Sequence, residues 1–181
     1  MGINALSEMR KNPAIGAKNL VDGFGSRLVK TAFRLCGNRA TAEDLAAKTL
    51  AKAVNDIGKF RGESESSLFS WLCTILVNFY RMDLRRKGTN ALVLMSEVPE
   101  VEDTSPNPAE VLAAKTDAES VRAAVQKLSP AMREAIVLRY FNDLPEREVA
   151  AILGIKETAA RVRIHAAKRK LRELLALTFS G

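Results

Sequence analysis

Arg161, Arg163, His165, Lys168, Arg169 and Arg172 crowd into one short stretch near the C-terminus, and Lys156 stands just before it. A guanidinium offers a planar fork of N–H donors that matches a phosphate or the edge of guanine, and an ammonium adds a point charge. The chemistry on offer is recognition of a polyanion. A second basic set lies earlier: Lys59 and Arg61 flank the loop KFRGESESS, and Asn78, Arg81, Arg85, Arg86 and Lys87 follow on one apolar run. Catalytic chemistry is poorly represented. There is no Gly-rich phosphate loop, no His-based catalytic pair and no metal-like spacing of Cys or His. The single histidine has no partner ligands near it, and Cys36 and Cys73 read as small core residues. The expectation is therefore a binding protein, not an enzyme, with no cofactor and no metal.

The elements that must hold these cations are helical. Ile152, Leu153, Gly154 and Ile155 form the joint between two short helical patterns, with glycine suited to the positive φ of a tight reversal. Beyond it Ala160, Ile164, Ala167, Leu171 and Leu174 repeat at alternating four and three, one buried stripe of a helix whose next strip carries Arg161, His165, Lys168 and Arg172. That is the pattern of a helix-turn-helix with a groove-docking second helix. Upstream, helices are expected at about 18–36, from a Thr41 cap to Gly58, and at about 68–87. The second carries Leu45, Leu50, Ala53, Val54 and Ile57 toward a core. The third turns Leu68, Trp71, Leu72, Ile75, Leu76, Phe79 and Met82 inward. Ser129-Pro130 and Asn107-Pro108 read as helix starts with a capping side chain and Pro at the first position.

The fold class is all-α: two small helical domains joined by an acidic linker, the C-terminal one a helix-turn-helix. Residues 1–90 and 109–181 form the domains. The linker, 91–108, contains SEVPEVEDTSPNP, which has three prolines and neither Lys nor Arg. The 181 residues, 47% of them apolar, suffice for two cores, and the net charge of +7 points to a polyanionic partner. No apolar run approaches the roughly 20 residues of a membrane span. The N-terminus lacks an apolar signal core, so a cytoplasmic location is expected. Leu6 argues against reading the Met-Gly start as a myristoylation signal.

The segments AFRLCGNRATAEDLAAKTLAKA and KFRGESESSLFSWLCTILVNFYRMDLRR resemble the second conserved region of the extracytoplasmic-function group of sigma-70 factors. The stretch LSPAMREAIVLRYFNDLPEREVAAILGIKETAARVRIHAAKRKLRELL resembles their fourth region. The two occur in the family's order and cover nearly everything from Phe24 to Leu175. The resemblance implies an initiation subunit that binds core RNA polymerase and promoter DNA, under control of an anti-sigma factor. It assigns upstream, minus-35 duplex contacts to the recognition helix: Lys156, Arg161, Arg163, His165, Lys168 and Arg169. It assigns capture of the minus-10 element to Lys59, Phe60, Arg61, Gly62, Ser64, Trp71, Asn78, Arg81, Arg85 and Arg86. In that role the loop surrounds an extruded base, on which Phe60 or Trp71 would stack for about 1 to 3 kcal/mol. Core-polymerase binding falls to Asp44, Leu45, Ala47, Lys48 and Leu50. Glu97, Glu100, Glu102 and Asp103 correspond to a linker that threads polymerase channels, with a solvated linker as the simpler reading.

Some positions depart from the family. Ala47 replaces an amide and Lys48 reverses a charge on the polymerase-binding helix, where a lost buried hydrogen bond costs about 1 to 3 kcal/mol. Lys156 replaces the customary Ser cap, and Ala159, Val162 and Ala166 replace polar or basic groups on the recognition helix. Apolar side chains there can touch a thymine methyl, so the residues fit either an altered upstream preference or less reliance on that element. Trp71 and Phe60 fit core anchors as well as stacking platforms. Two further readings stay open: a helix-turn-helix regulator acting without polymerase, and a sigma-like decoy that binds an anti-sigma factor.

Overall fold

The computed structural model describes residues 13–88 and 118–179, which fall in two compact units, Met1–Lys87 and Gly88–Gly181. The described residues are helical, with no strand among them. The acidic linker and the helix start expected at Asn107-Pro108 lie outside them.

In the first unit α1 (Pro13–Cys36) packs on α2 (Arg39–Asp56), and both pack on α3 (Glu65–Arg86). Leu20, Phe24, Leu28, Ala32 and Leu35 recur at helical spacing on α1 and are all buried. The Phe24 and Phe69 rings stack with centroids 6.1 Å apart, and the Arg27 guanidinium carbon sits 3.5 Å above Phe69. Gly37, at φ 71°, ends α1, its N–H bonding to Phe33 O at 2.8 Å. The cap of α2 is Asn38, not Thr41: the Asn38 side-chain Oδ1 accepts from Thr41 N at 2.9 Å. Both are capping residue types, and the one closer to Gly37 takes the role. The α-helix gives way at Asp56 to a 3-10 turn, Ile57–Lys59, before Gly58 could stop it.

On α3 the buried residues are Leu68, Phe69, Leu72, Cys73, Leu76, Val77 and Tyr80. The expected face is thus rotated: Met82 is 59% exposed, and Trp71, Ile75 and Phe79 are half-buried. The run from Leu68 to Met82 is apolar on nearly every side, so its periodicity does not select a face; packing against α1 and α2 does.

In the second unit α7 (Glu157–Phe179) packs against α4 (Ala118–Lys127), α5 (Pro130–Ile136) and α6 (Glu146–Leu153). The Ser129 hydroxyl caps α5 by accepting from Met132 N at 3.4 Å, with Pro130 at the first position, as the sequence suggests. Arg133 reaches back to the end of α4, donating to the Val125, Gln126 and Leu128 carbonyls. That one guanidinium adds a donor to the Val125 carbonyl, which also accepts from Leu128 N, and caps the carbonyls that follow it at the helix terminus. α5 runs into a π-type turn, Val137–Phe141, and Asp143 at φ 55° redirects the chain to α6.

Candidate nucleic-acid interfaces

The joint between α6 and α7 is built as the sequence suggests. Gly154 adopts φ 69° and ψ 36°, its N–H bonds to Ala151 O at 3.3 Å, and Ile155 N bonds to Ala150 O at 3.0 Å. This left-handed cap closes α6 and turns the chain into α7, whose first bond runs from Ala160 N to Lys156 O at 3.0 Å. Ala160, Ile164, Ala167, Leu171 and Leu175 are buried, so the stripe holds, with Leu175 deeper than Leu174 at its end.

The outward side of α7 does not carry every expected cation. Lys156, Arg161 and Arg169 are exposed, while Arg163 and His165 are half-buried. Lys168 is only 6% exposed and is withdrawn as a DNA contact. One turn after Ile164 and one before Leu171, it lies beside the apolar stripe, not opposite it. Ala166 is also buried, whereas Ala159 is exposed and Val162 half-exposed. Arg161 is tethered: its Nε donates to Glu146 Oε2 at 3.0 Å, and its Nη2 lies 3.6 Å from Glu157 Oε1. The hydrogen bond to Glu146, first, and the charges of both carboxylates hold its protonated form more firmly than usual. The spacing from Glu157 to Arg161 is one helical turn and visible in sequence. Glu146 lies on another helix, and nothing in the sequence signals that contact.

In the first unit, the loop between α2 and α3 is shaped by its glycine. A Cβ on Gly62 would fall 2.4 Å from Phe60 Cζ and 2.4 Å from Ser67 Oγ, so any other residue there forces these side chains to shift. Phe60 is 6% exposed, with its ring centroid 5.3 Å from that of Trp71 and the planes at 34°. It is a buried anchor behind Trp71, and its assignment as a stacking platform is corrected accordingly. Trp71 keeps a partly open side chain. Ser64 caps α3 in a reciprocal box with Ser67, accepting from Ser67 N at 3.0 Å. Lys59 pairs with Asp56 at 2.7 Å, and Arg61 Nη1 donates to Gly58 O at 2.6 Å, so both exposed cations brace the loop. Hydrogen bonds from Lys52, first, and then Lys59 hold the Asp56 carboxyl below its ordinary range.

Along α3, Trp71, Asn78 and Arg85 repeat every two turns and share a face with Arg81 beside it; Asn78 and Arg85 are exposed. Arg86 turns elsewhere. It donates to Asp83 at 2.9 Å and lines a groove of about 320 Å³ with Asp44, Leu45, Lys48, Phe79, Met82 and Asp83. The groove therefore joins part of the expected minus-10 set to the expected polymerase-binding helix. On that helix Ala47 is exposed, Leu50 is half-buried, and Lys48 bonds Asp44 at 2.6 Å. Leu45 is 3% exposed and packs inward with Ala42 and Ala46, as its core-facing reading has it, so as a polymerase contact it offers only the edge that lines the groove.

Cys73 is buried, and burial raises the pKa of Cys36, whose thiol donates to Asn38 O at 3.2 Å. Among the described residues no group of three or more His, Cys, Asp or Glu could hold a metal, and no helix is long and apolar enough to cross a membrane.

Two family models match, in the order of the two units: sigma-70 region 2 over residues 20–89 and sigma-70 region 4 over residues 118–171. The sigma factor CarQ of Myxococcus xanthus is 34% identical, over 86% of this chain and 82% of its own length. The ECF RNA polymerase sigma factor SigE of Mycolicibacterium smegmatis is 30% identical over 87% of this chain, which spans 60% of that protein. Among solved structures, the sigma factor RpoE of Bartonella quintana, in complex with the anti-sigma factor NepR, aligns with a TM-score of 0.67 and 29% identity. The alignment covers 88% of this chain and 96% of that one.

Proposed function

Since this chain belongs to the extracytoplasmic-function group of sigma-70 factors, we propose that it binds core RNA polymerase and directs it to promoters, with the labour divided between its two units. The observation that carries this reading is the pairing, in one chain, of a glycine-capped helix-turn-helix exposing Lys156, Arg161 and Arg169 with a helical unit whose α3 exposes Asn78 and Arg85 and is preceded by a tightly built loop. A regulator that reads duplex alone has no use for the second feature.

In the proposed mechanism α7 enters the major groove of the minus-35 element. Lys156 and Arg169 meet phosphates and set the register, and Arg161, Arg163 and His165 reach base edges or adjacent phosphates. The exposed strip of α3, with Asn78, Arg81 and Arg85, meets the minus-10 element as its strands separate. The loop from Lys59 to Ser64 borders the extruded base, and Trp71, supported from behind by Phe60, is the ring left to stack on it. The outer face of α2, with Asp44, Ala47 and Lys48, and the groove it shares with Arg86 meet the polymerase. The chain performs no bond chemistry; polymerase supplies it. By analogy with the RpoE–NepR complex, an anti-sigma factor occupies the free protein, which works in the cytoplasm where polymerase and promoter DNA meet.

Two binding measurements test this against the alternatives. The protein is expected to co-elute with core polymerase and to retain duplex DNA only weakly on its own. Duplex binding without co-elution would support the solitary regulator, and binding to neither would support the decoy.

A further inference from the structure

Arg161 is held by contacts that cross the helix-turn-helix. Its Nε donates to Glu146 on α6, and its Nη2 faces Glu157 one turn back on α7. The Arg161 side chain is 55% exposed and that of Glu146 28%, so the pair is a surface feature and adds little to stability. Its consequence is geometric. On the side edge of the guanidinium Nε donates to Glu146, and Nη2 lies 3.6 Å from Glu157, in ion-pair but not hydrogen-bond range. The end edge, Nη1 with Nη2, makes no hydrogen bond among the described residues.

We propose that Glu146 is a positioning residue that makes Arg161 a reader of a base edge instead of a phosphate clamp, and so sets part of the upstream specificity. The inference rests on the reading that α7 enters promoter duplex. A bidentate contact to guanine needs the guanidinium nearly coplanar with the base, and a plane already fixed from two helices loses less freedom on binding. A phosphate approaching the same group meets two carboxylates at 3.0 and 3.6 Å from its nitrogens, which offset the attraction. The neutral O6 and N7 edge of guanine meets no such net repulsion. The pair therefore favours base over backbone.

The test uses holoenzyme assembled from core polymerase and the full chain, transcribing a promoter library randomised across the upstream element. Wild type is expected to show a marked preference at one or two adjacent positions. Glu146→Gln, which keeps the shape and removes the charge, should flatten that preference roughly 5- to 10-fold and leave the other positions unchanged. Arg161→Ala should flatten the same positions, and Glu157→Gln should flatten them less, because its contact is longer. Two results for Glu146→Gln would overturn the proposal: wild-type preference at every position, or a uniform loss of product with all preferences intact, the mark of a merely structural role. Wild-type holoenzyme yielding no start-site-specific product would overturn the initiation reading itself and the inference with it.

Discussion

Gly62→Ala is expected to destabilise the first unit far more than a loop substitution ordinarily does. The added Cβ would sit 2.4 Å from Phe60 Cζ, 2.7 Å from Phe60 Cε2 and 2.4 Å from Ser67 Oγ, so both neighbours must move by about an ångström to reach ordinary contact. Neither can move cheaply. If the ring shifts, it leaves Trp71 and an aromatic contact of about 0.5 to 1.5 kcal/mol, and a buried side chain must find new space. If Ser67 turns away, the Ser64 N–H loses its side-chain acceptor at 3.2 Å, for about 0.5 to 1.5 kcal/mol. With an overpacking cost of about 1 to 3 kcal/mol, the total comes to roughly 2 to 6 kcal/mol. For a unit of this size that lowers the unfolding midpoint by at least roughly 8 °C. Trp71 is the sole tryptophan and lies against Phe60, so its fluorescence reports unfolding of this unit within the intact chain. Gly62→Ala with Ser67→Ala should cost less than the sum of the two single changes, because the second opens space for the first. A Gly62→Ala protein within about 0.5 kcal/mol of wild type would refute the packing argument.

Gly154→Ala offers a cleaner case: nothing lies within 4 Å of the new Cβ, so the cost is that of φ +69° alone, about 1 to 2 kcal/mol. Circular dichroism on thermal unfolding measures it, and an unchanged midpoint would contradict it. Acidification should weaken the first unit through Asp83, whose carboxyl is held below its ordinary range by Lys87 and then Arg86, against the opposing effect of burial. Because its folded pKa is lowered, the stabilisation is present above the unfolded value and is lost as pH falls below about 4. Asp83→Asn should remove that part of the pH slope in Trp71-monitored unfolding, and an unaltered slope would reject the assignment. Lys48→Glu, by contrast, breaks an exposed pair worth about 0.5 kcal/mol or less, yet restores the family's charge on the face proposed to meet polymerase. It should tighten core-polymerase binding by roughly 5-fold or more in a competition assay, and unchanged or weaker binding would count against that face.

Much of this was readable from residue types because local chemistry decides it. Gly154 after an aliphatic pair, and Ser129 before a proline, each have one good structural use, and both are used that way. The stripe on α7 is legible for the same reason: its polar flank leaves only one face to bury. On α3 apolar residues surround the helix, and the choice between Tyr80 and Met82 as the inward residue is made by neighbours distant in sequence. Site residues failed where a type admits two fates. Phe60 admits both a platform and an anchor, and Lys168 a contact or a flank of the stripe, until packing decides. The Glu146 tether on Arg161 joins residues on different helices and has no signature at all in the chain.

The claim at the centre of this account is that one chain couples the polymerase to a promoter through both units. Single-round run-off transcription from a randomised promoter pool, with purified core polymerase and the full chain, tests it most directly. The account predicts a transcript with a defined start, from promoters sharing an upstream and a minus-10 motif, absent when either the protein or the polymerase is omitted. Transcripts identical with and without the protein, while it still binds duplex, would contradict it.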